Sequence, residues 1–269
     1  MADIPPRILT IAGSDSSGGA GIQADIKTIT LLGGYAMSAI TAVTAQNTRG
    51  VQAVEVLPAE LVGQQIDSCL SDIGADAVKI GMLGSPEIAE VVAERLETFA
   101  GAIVFDPVMV ATSGAELADA ATIAAFVRLM ALASLATPNL PELAALTGLP
   151  VATREEVYEA AIALAKSADC DVLAKGGHSG GERVIDVLVS PRGEAGSFAH
   201  ARIETRHTHG TGCTLSAAIA TLLGHGQPLV HAVRLGRRFT FEAIERAPGF
   251  GAGSGPLGHH AVRGGQPSS

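Results

Sequence analysis

Short apolar runs alternate with longer stretches of helical period along almost the whole chain, and this alternation restricts the fold more than any other feature. Residues 7–12, 35–45, 51–57, 77–80, 102–105, 134–137 and 171–175 predict strands. Between them, residues 20–32, 58–73 and 119–132 predict helices, as does the stretch opened by Pro86, where Ile88, Val91, Val92, Leu96 and Phe99 share one face. Pro141 starts a short helix, and Thr153 with Glu156 matches a capping box opening a longer one to residue 167. Residues 183–189 and 197–203, separated by Pro191-Arg-Gly-Glu, predict an antiparallel pair, and helices follow at 212–223 and 229–246.

Strands that alternate with helices imply a three-layer α/β fold: a mostly parallel central sheet flanked by helices, with one short antiparallel strand pair. The 269 residues suffice for one large core and a single domain over residues 1–258, with 259–269 expected as a flexible tail. The net charge of −9 gives no electrostatic reason to expect nucleic acid. No run of about twenty apolar residues is free of charge or glycine, so no membrane span is expected. Cys69, Cys170 and Cys213 lie far apart with no Cys-x-x-Cys pair, and the first residues carry no signal-peptide pattern. Both observations predict a reduced, cytoplasmic setting without a transition-metal motif.

In parallel sheets, ligands bind beyond the carboxyl ends of the strands. The chain's polar candidates cluster at those places: Gly13-Ser14-Asp15, Gly81-Met82, Asp106, Asn139 and Lys175 each follow a predicted strand. The turn His209-Gly210-Thr211-Gly212-Cys213-Thr214 leads directly into a helix with Leu215, Ala218, Ile219 and Leu222 on one face. Two glycines at a helix start let unpartnered N–H groups converge on an anion, and the helix dipole adds positive potential. The same field is expected to favour a thiolate at Cys213.

Six blocks carry a resemblance when taken together. They are Ala12-Gly-Ser-Asp-Ser-Ser-Gly-Gly-Ala-Gly-Ile-Gln-Ala-Asp25, Thr44-Ala-Gln-Asn-Thr48, Lys79-Ile-Gly-Met-Leu83, Asp106-Pro-Val-Met-Val-Ala-Thr-Ser-Gly114, Thr137-Pro-Asn-Leu-Pro-Glu142 and His209-Gly-Thr-Gly-Cys-Thr-Leu-Ser216. From about residue 7 to about residue 258 the chain resembles the hydroxymethylpyrimidine/phosphomethylpyrimidine kinases of thiamine biosynthesis, in the ribokinase-like group. The resemblance implies ATP-dependent phosphorylation of a pyrimidine alcohol and then of its monophosphate. It also implies a homodimer.

For the substrate, the resemblance implies Gln46 on the aminopyrimidine edge, where an amide satisfies a ring acceptor and an amino donor together. It adds Asp25 facing the cleft, Gly13 allowing close backbone approach, and Met82 and Val108 against the ring faces. Asn139 and Lys175 would contact the phosphates of ATP. Asp106 and Glu142 would hold Mg2+ through water. Gly210, Thr211, Gly212 and Cys213 would stabilise the transferring group, with Cys213 as base or proton shuttle beside its own amide. Two rival readings stay open: a pyridoxal/pyridoxine kinase, and a non-catalytic pyrimidine-binding regulatory module.

Overall fold

The computed structural model describes residues 4–110, 117–178, 182–193 and 195–262. Residues 111–114 of the Asp106 block and 263–269 of the expected tail lie outside the described residues. The elements run β1 (Arg7–Asp15), α1 (Gly21–Leu31), β2 (Tyr35–Asn47), β3 (Gly50–Val56), α2 (Ala59–Asp72), β4 (Ala77–Ile80), α3 (Pro86–Leu96), β5 (Ala102–Phe105) and α4 (Ala120–Leu132). They continue with β6 (Leu135–Ala136), α5 (Leu140–Thr147), α6 (Arg154–Ala168), β7 (Asp171–Ala174), β8 (Arg183–Val189), β9 (Ala195–Ala201), α7 (Thr211–Gly224) and α8 (Leu229–Glu245).

Among the described residues the strands form one sheet in the order β3-β2-β1-β4-β5-β6-β7-β8-β9. The strands from β2 to β7 in that order are parallel. One antiparallel pair was expected, but both margins are antiparallel: β3 on β2 at one side, β8 and β9 at the other. A two-residue turn between β2 and β3 leaves no room for the crossover that parallel pairing requires.

The period of two along each strand divides the core. Leu9, Ile11, Val78, Ile80, Ile103 and Phe105 face Val62, Ile88, Val92, Phe126 and Leu164 of α2, α3, α4 and α6. Ile8, Ala77, Val104, Leu135 and Leu173 face the other way, onto Ile29, Ile219 and Val233 of α1, α7 and α8. Thr10 and Lys79 fall in phase with this second set, yet both are polar and fully buried.

Helix starts follow their local chemistry. Ser85 caps α3 and Asp119 caps α4, while Asn139/Glu142 and Thr153/Glu156 form capping boxes on α5 and α6. Helix α7, like α1, α2 and α8, has no side-chain cap, and it starts after Gly210.

Beyond α8, residues 257–262 pack onto the helices. Leu257 and Val262 pack against Ala218, Phe239 and Ala243, and His259 is buried with its Nε2 2.8 Å from Thr214 Oγ1. The boundary expected at residue 258 therefore falls inside packed structure. Burial of an imidazole and two apolar side chains outweighs the glycine-rich composition around them.

Candidate active site

The sheet order turns back on itself at β1, which has β2 on one side and β4 on the other. A cavity of about 930 Å3 opens over the carboxyl ends of the strands there. Gly13, Gln46, Met82, Val108, Asp106, Asn139, Glu142, Lys175 and the Gly210–Cys213 turn all line it. Residues as far apart in sequence as Gln46 and Cys213 thus share one space.

Gly13, Gln46 and Met82 together line one part of the cavity. The register of β1 slips between Ala12 and Ser14, and a Cβ at Gly13 would lie 3.1 Å from Met82 Sδ. Gln46 is clamped by Ser16, whose Oγ accepts from the Gln46 N–H at 2.8 Å and donates to its carbonyl at 2.9 Å. Thr44 Oγ1 donates to Gln46 Oε1 at 3.1 Å.

Asp15 and His209 form a buried pair beneath this end, with His209 Nε2 2.8 Å from Asp15 Oδ2. An ionised carboxylate only accepts, so His209 Nε2 carries the hydrogen. Asp15 also accepts from the Ser17 N–H and hydroxyl and from the Gly19 and Ala20 N–H groups. Burial pushes its pKa up, but His209, Ser17 and Ala20 outweigh that and hold it at about 2. Because the folded value lies below the ordinary 3.8, this stabilisation is present above pH 3.8 and lost as pH falls toward 2. Asp15→Asn is therefore expected to cost about 2 kcal/mol at neutral pH, with the difference from wild type closing by about pH 2. Urea unfolding across that pH range measures it, and a difference independent of pH would contradict the assignment.

At the other end the chain assembles charge. Gly210 has φ +90°, and a Cβ there would lie 1.9 Å from the Gly19 carbonyl oxygen, so only glycine fits this turn. The N–H groups of Gly212 and Cys213 find no acceptor among the described residues. Lys175 Nζ donates to Asp106 Oδ1 at 2.7 Å, and Thr137 Oγ1 donates to the same oxygen at 3.0 Å. A Cβ at Gly212 would lie 3.3 Å from both Asp106 Oδ2 and Lys175 Nζ, so the turn and the charge pair are in near contact.

Asn139 and Glu142 are bound to each other: Asn139 Oδ1 accepts from the Glu142 N–H at 2.9 Å and Glu142 Oε2 from the Asn139 N–H at 2.7 Å. Burial raises the Glu142 pKa to about 7 despite the nearby Lys175 ammonium. Asp106 and Glu142 thus bring two carboxylates to the cavity, the first also accepting from the Ser216 hydroxyl at 3.4 Å and the second from the Met109 N–H. Such a donor set suits Mg2+, which takes few carboxylates and keeps several waters. No cluster of three or more potential metal ligands occurs among the described residues.

Two expectations need correction. Asp25 does not reach the cavity: it is fully buried, with Oδ2 2.8 Å from Lys79 Nζ and 2.5 Å from the donating Thr10 hydroxyl. The helical pattern of α1 left its facing open, and the sheet-side cation decided it. Nor is the Cys213 thiolate favoured, because burial raises the pKa to about 11 although Lys79 and the Gly21 N–H oppose it. Desolvation of a thiolate outweighs the field of the helix start.

The sequence reading also missed a third group lining the cavity. Arg237 Nε donates to Asp186 Oδ2 at 2.6 Å, its Nη2 lies 2.7 Å from His200 Nδ1, and its guanidinium sits 5.4 Å from the Phe198 ring centroid. Asp186 Oδ1 in turn accepts from the Gly176 N–H at 2.7 Å, tying β8 and α8 to the residue after Lys175. These side chains come from β8, β9 and α8, and no local motif marks them.

The model of the phosphomethylpyrimidine kinase family matches residues 15–258. The chain belongs to that family. It is 46% identical over 260 residues to a hydroxymethylpyrimidine/phosphomethylpyrimidine kinase of Streptomyces coelicolor, covering 95% of this chain and 94% of the relative. It is 44% identical over 261 residues to the thiamine biosynthesis multifunctional protein ThiED of Corynebacterium efficiens, covering 96% of this chain but spanning only 35% of that longer protein. Among solved structures, an ADP complex of Bacillus subtilis pyridoxal kinase aligns with a TM-score of 0.89 at 34% identity, covering 97% of this chain and 99% of that one. The fold is that of the ribokinase-like kinases.

Proposed function

We propose that this chain is an ATP-dependent kinase that phosphorylates 4-amino-5-hydroxymethyl-2-methylpyrimidine and then its monophosphate, giving the pyrophosphate used in thiamine biosynthesis. The observation that carries this reading is the single cavity joining Gln46 at one end to Cys213, Lys175 and the glycine turn at the other. Gln46 would read the amino and ring nitrogens of the pyrimidine, with Gly13, Met82 and Val108 around the ring. The alcohol oxygen would then bond to the γ-phosphorus of ATP as the bond to the departing ADP oxygen breaks. The transition state is loose, so positioning and charge stabilisation dominate. The N–H groups of Gly212 and Cys213, with Lys175, would meet the charge that spreads over the transferring oxygens.

Asp106 and Glu142 would hold Mg2+, which supplies neutralisation of crowded phosphate oxygens when bound. Asn139 and Lys175 would contact the nucleotide phosphates. Thr211 would shape the turn, its hydroxyl donating to the Thr208 carbonyl at 2.7 Å. Only the small thiolate fraction of Cys213 could take the alcohol's proton, since at neutral pH the thiol otherwise holds its own.

Pairing of two copies in the cytoplasm belongs to the same reading. Val43, Val54 and Val56 on β2 and β3, with Leu61 of α2, are exposed apolar side chains at the sheet edge. Light scattering tests the pairing, and the mass of one chain would overturn it. No helix among the described residues is long and apolar enough to cross a membrane.

A coupled assay of ADP release decides the substrate. Turnover is expected with the pyrimidine alcohol and again with its monophosphate. A silent assay with both, alongside brisk turnover of pyridoxal, would transfer the reading to the pyridoxal kinases whose fold this chain shares.

A further inference from the structure

Lys79, which opens the Lys79-Ile-Gly-Met-Leu83 block, has no part in the mechanism above, yet it is a fully buried cation that lines the cavity. Strand alternation turns Lys79 and Thr10 toward the layer of α1 and α7, where apolar side chains are the rule. Both side chains of the Lys79–Asp25 pair are 0% exposed, at 2.8 Å. Asp25 Oδ2 accepts from Lys79 and from Thr10, while Asp25 Oδ1 has no hydrogen-bond partner among the described residues.

A buried ion pair of this kind is seldom more stable than apolar residues of similar volume, and an orphaned carboxylate oxygen adds to the cost. Stability does not explain why the pair is there; its position does. Lys79 reaches the floor of the cavity, and a Cβ at Gly81 would stand only 2.7 Å from Lys79 Nζ, so glycine leaves space for the ammonium. Helix α7 packs on β4 and β5, Cys213 lines the same cavity as Lys79, and its sulfur accepts from the N–H of Gly21, one turn of α1 before Asp25. The charged groups acting on Cys213 are Lys79, Asp25, Asp106 and Lys175. Lys79 is the largest of the effects that favour the thiolate, against desolvation and the two carboxylates.

We infer that Lys79, held in place by Asp25, is a positioning residue: a fixed buried counter-charge that makes proton uptake and release at the Cys213 thiol attainable. The inference rests on Cys213 facing the alcohol, as proposed above. The ammonium itself is fully buried. It acts through the thiol, favouring the thiolate without being consumed.

Two variants test it through thiol chemistry that needs no turnover. Lys79→Met removes the cation. Lys79→Met/Asp25→Asn removes both charges and keeps an acceptor for Thr10, so no uncompensated charge is buried. The rate of Cys213 alkylation by iodoacetamide at about pH 8.5, followed by mass of the Cys213 peptide, reports the thiolate fraction. Lys79→Met is expected to alkylate at least about threefold more slowly than wild type, a rise of about half a unit in thiol pKa, and the double variant, which also loses the opposing Asp25 charge, should slow by less. The rise of kcat with pH should move to higher pH by the same amount, with KM for the alcohol little changed. Unchanged alkylation in folded variants would overturn the inference, as would failure of the charge-free double variant to fold, which would make the pair a structural requirement. A wild-type enzyme inert toward the pyrimidine alcohol would instead sink the functional reading and leave the thiol result standing.

Discussion

Cys213→Ala is expected to lower turnover by roughly 10²–10⁴ while circular dichroism and thermal unfolding stay close to wild type. The side chain is partly exposed in the cavity, so its loss opens no large void in the core. Its chemistry is more exacting than its packing. The thiol is raised to about 11, so at neutral pH only a small fraction is thiolate, and that fraction grows about tenfold per pH unit. Wild-type kcat should therefore climb as the pH rises above neutrality, and the alanine variant should lose that climb. A variant with wild-type turnover and a wild-type pH profile would confine the residue's role to its backbone N–H. That outcome is physically coherent, because a loose transition state asks little of a base early in the reaction.

Gly210→Ala is the second large effect. The new Cβ would have to occupy a point 1.9 Å from the Gly19 carbonyl oxygen at a φ of +90°, so the turn must move. Strain of the left-handed backbone costs roughly 1–3 kcal/mol. Displacing the Gly212 and Cys213 N–H groups by about an ångström is expected to cost turnover of order 10²-fold or more. Gly226→Ala is the control: its φ is +76°, but nothing lies within 4 Å of the added methyl. It should lose comparable backbone stability and keep its turnover. Equal turnover in the two variants would show that the turn does not hold the transferring group.

Much of this was readable before any coordinates. The strand limits at 77–80, 102–105 and 183–189 coincide with β4, β5 and β8, and for the first two the flanking glycine and aspartate leave little freedom. The capping box at Thr153 and Glu156 and the proline starting α3 are local chemistry, settled within a single turn. The residues following the strands also found one another, since in a parallel sheet all such loops emerge on the same side. Apart from Asp25, every side chain expected at the site lines the cavity.

What was not legible depended on partners far away in sequence. His209 meets Asp15 across 194 positions and Arg237 meets Asp186 across 51, and nothing local to either residue foretells the meeting. Asp25 sits in a helix whose pattern allowed two facings, and the choice fell to Lys79, 54 residues on.

Local spacing, then, determined where the chain curls, where it extends, and which loops carry polar groups, because those are contests between neighbouring residues. Tertiary structure decided which charges are desolvated and which are paired. It turned Asp25 inward, raised the Cys213 thiol, brought Arg237 to the cavity and packed His259 under Thr214. The energy of a buried charge depends on every group within a few ångströms, and only the assembled sheet and helices specify those groups.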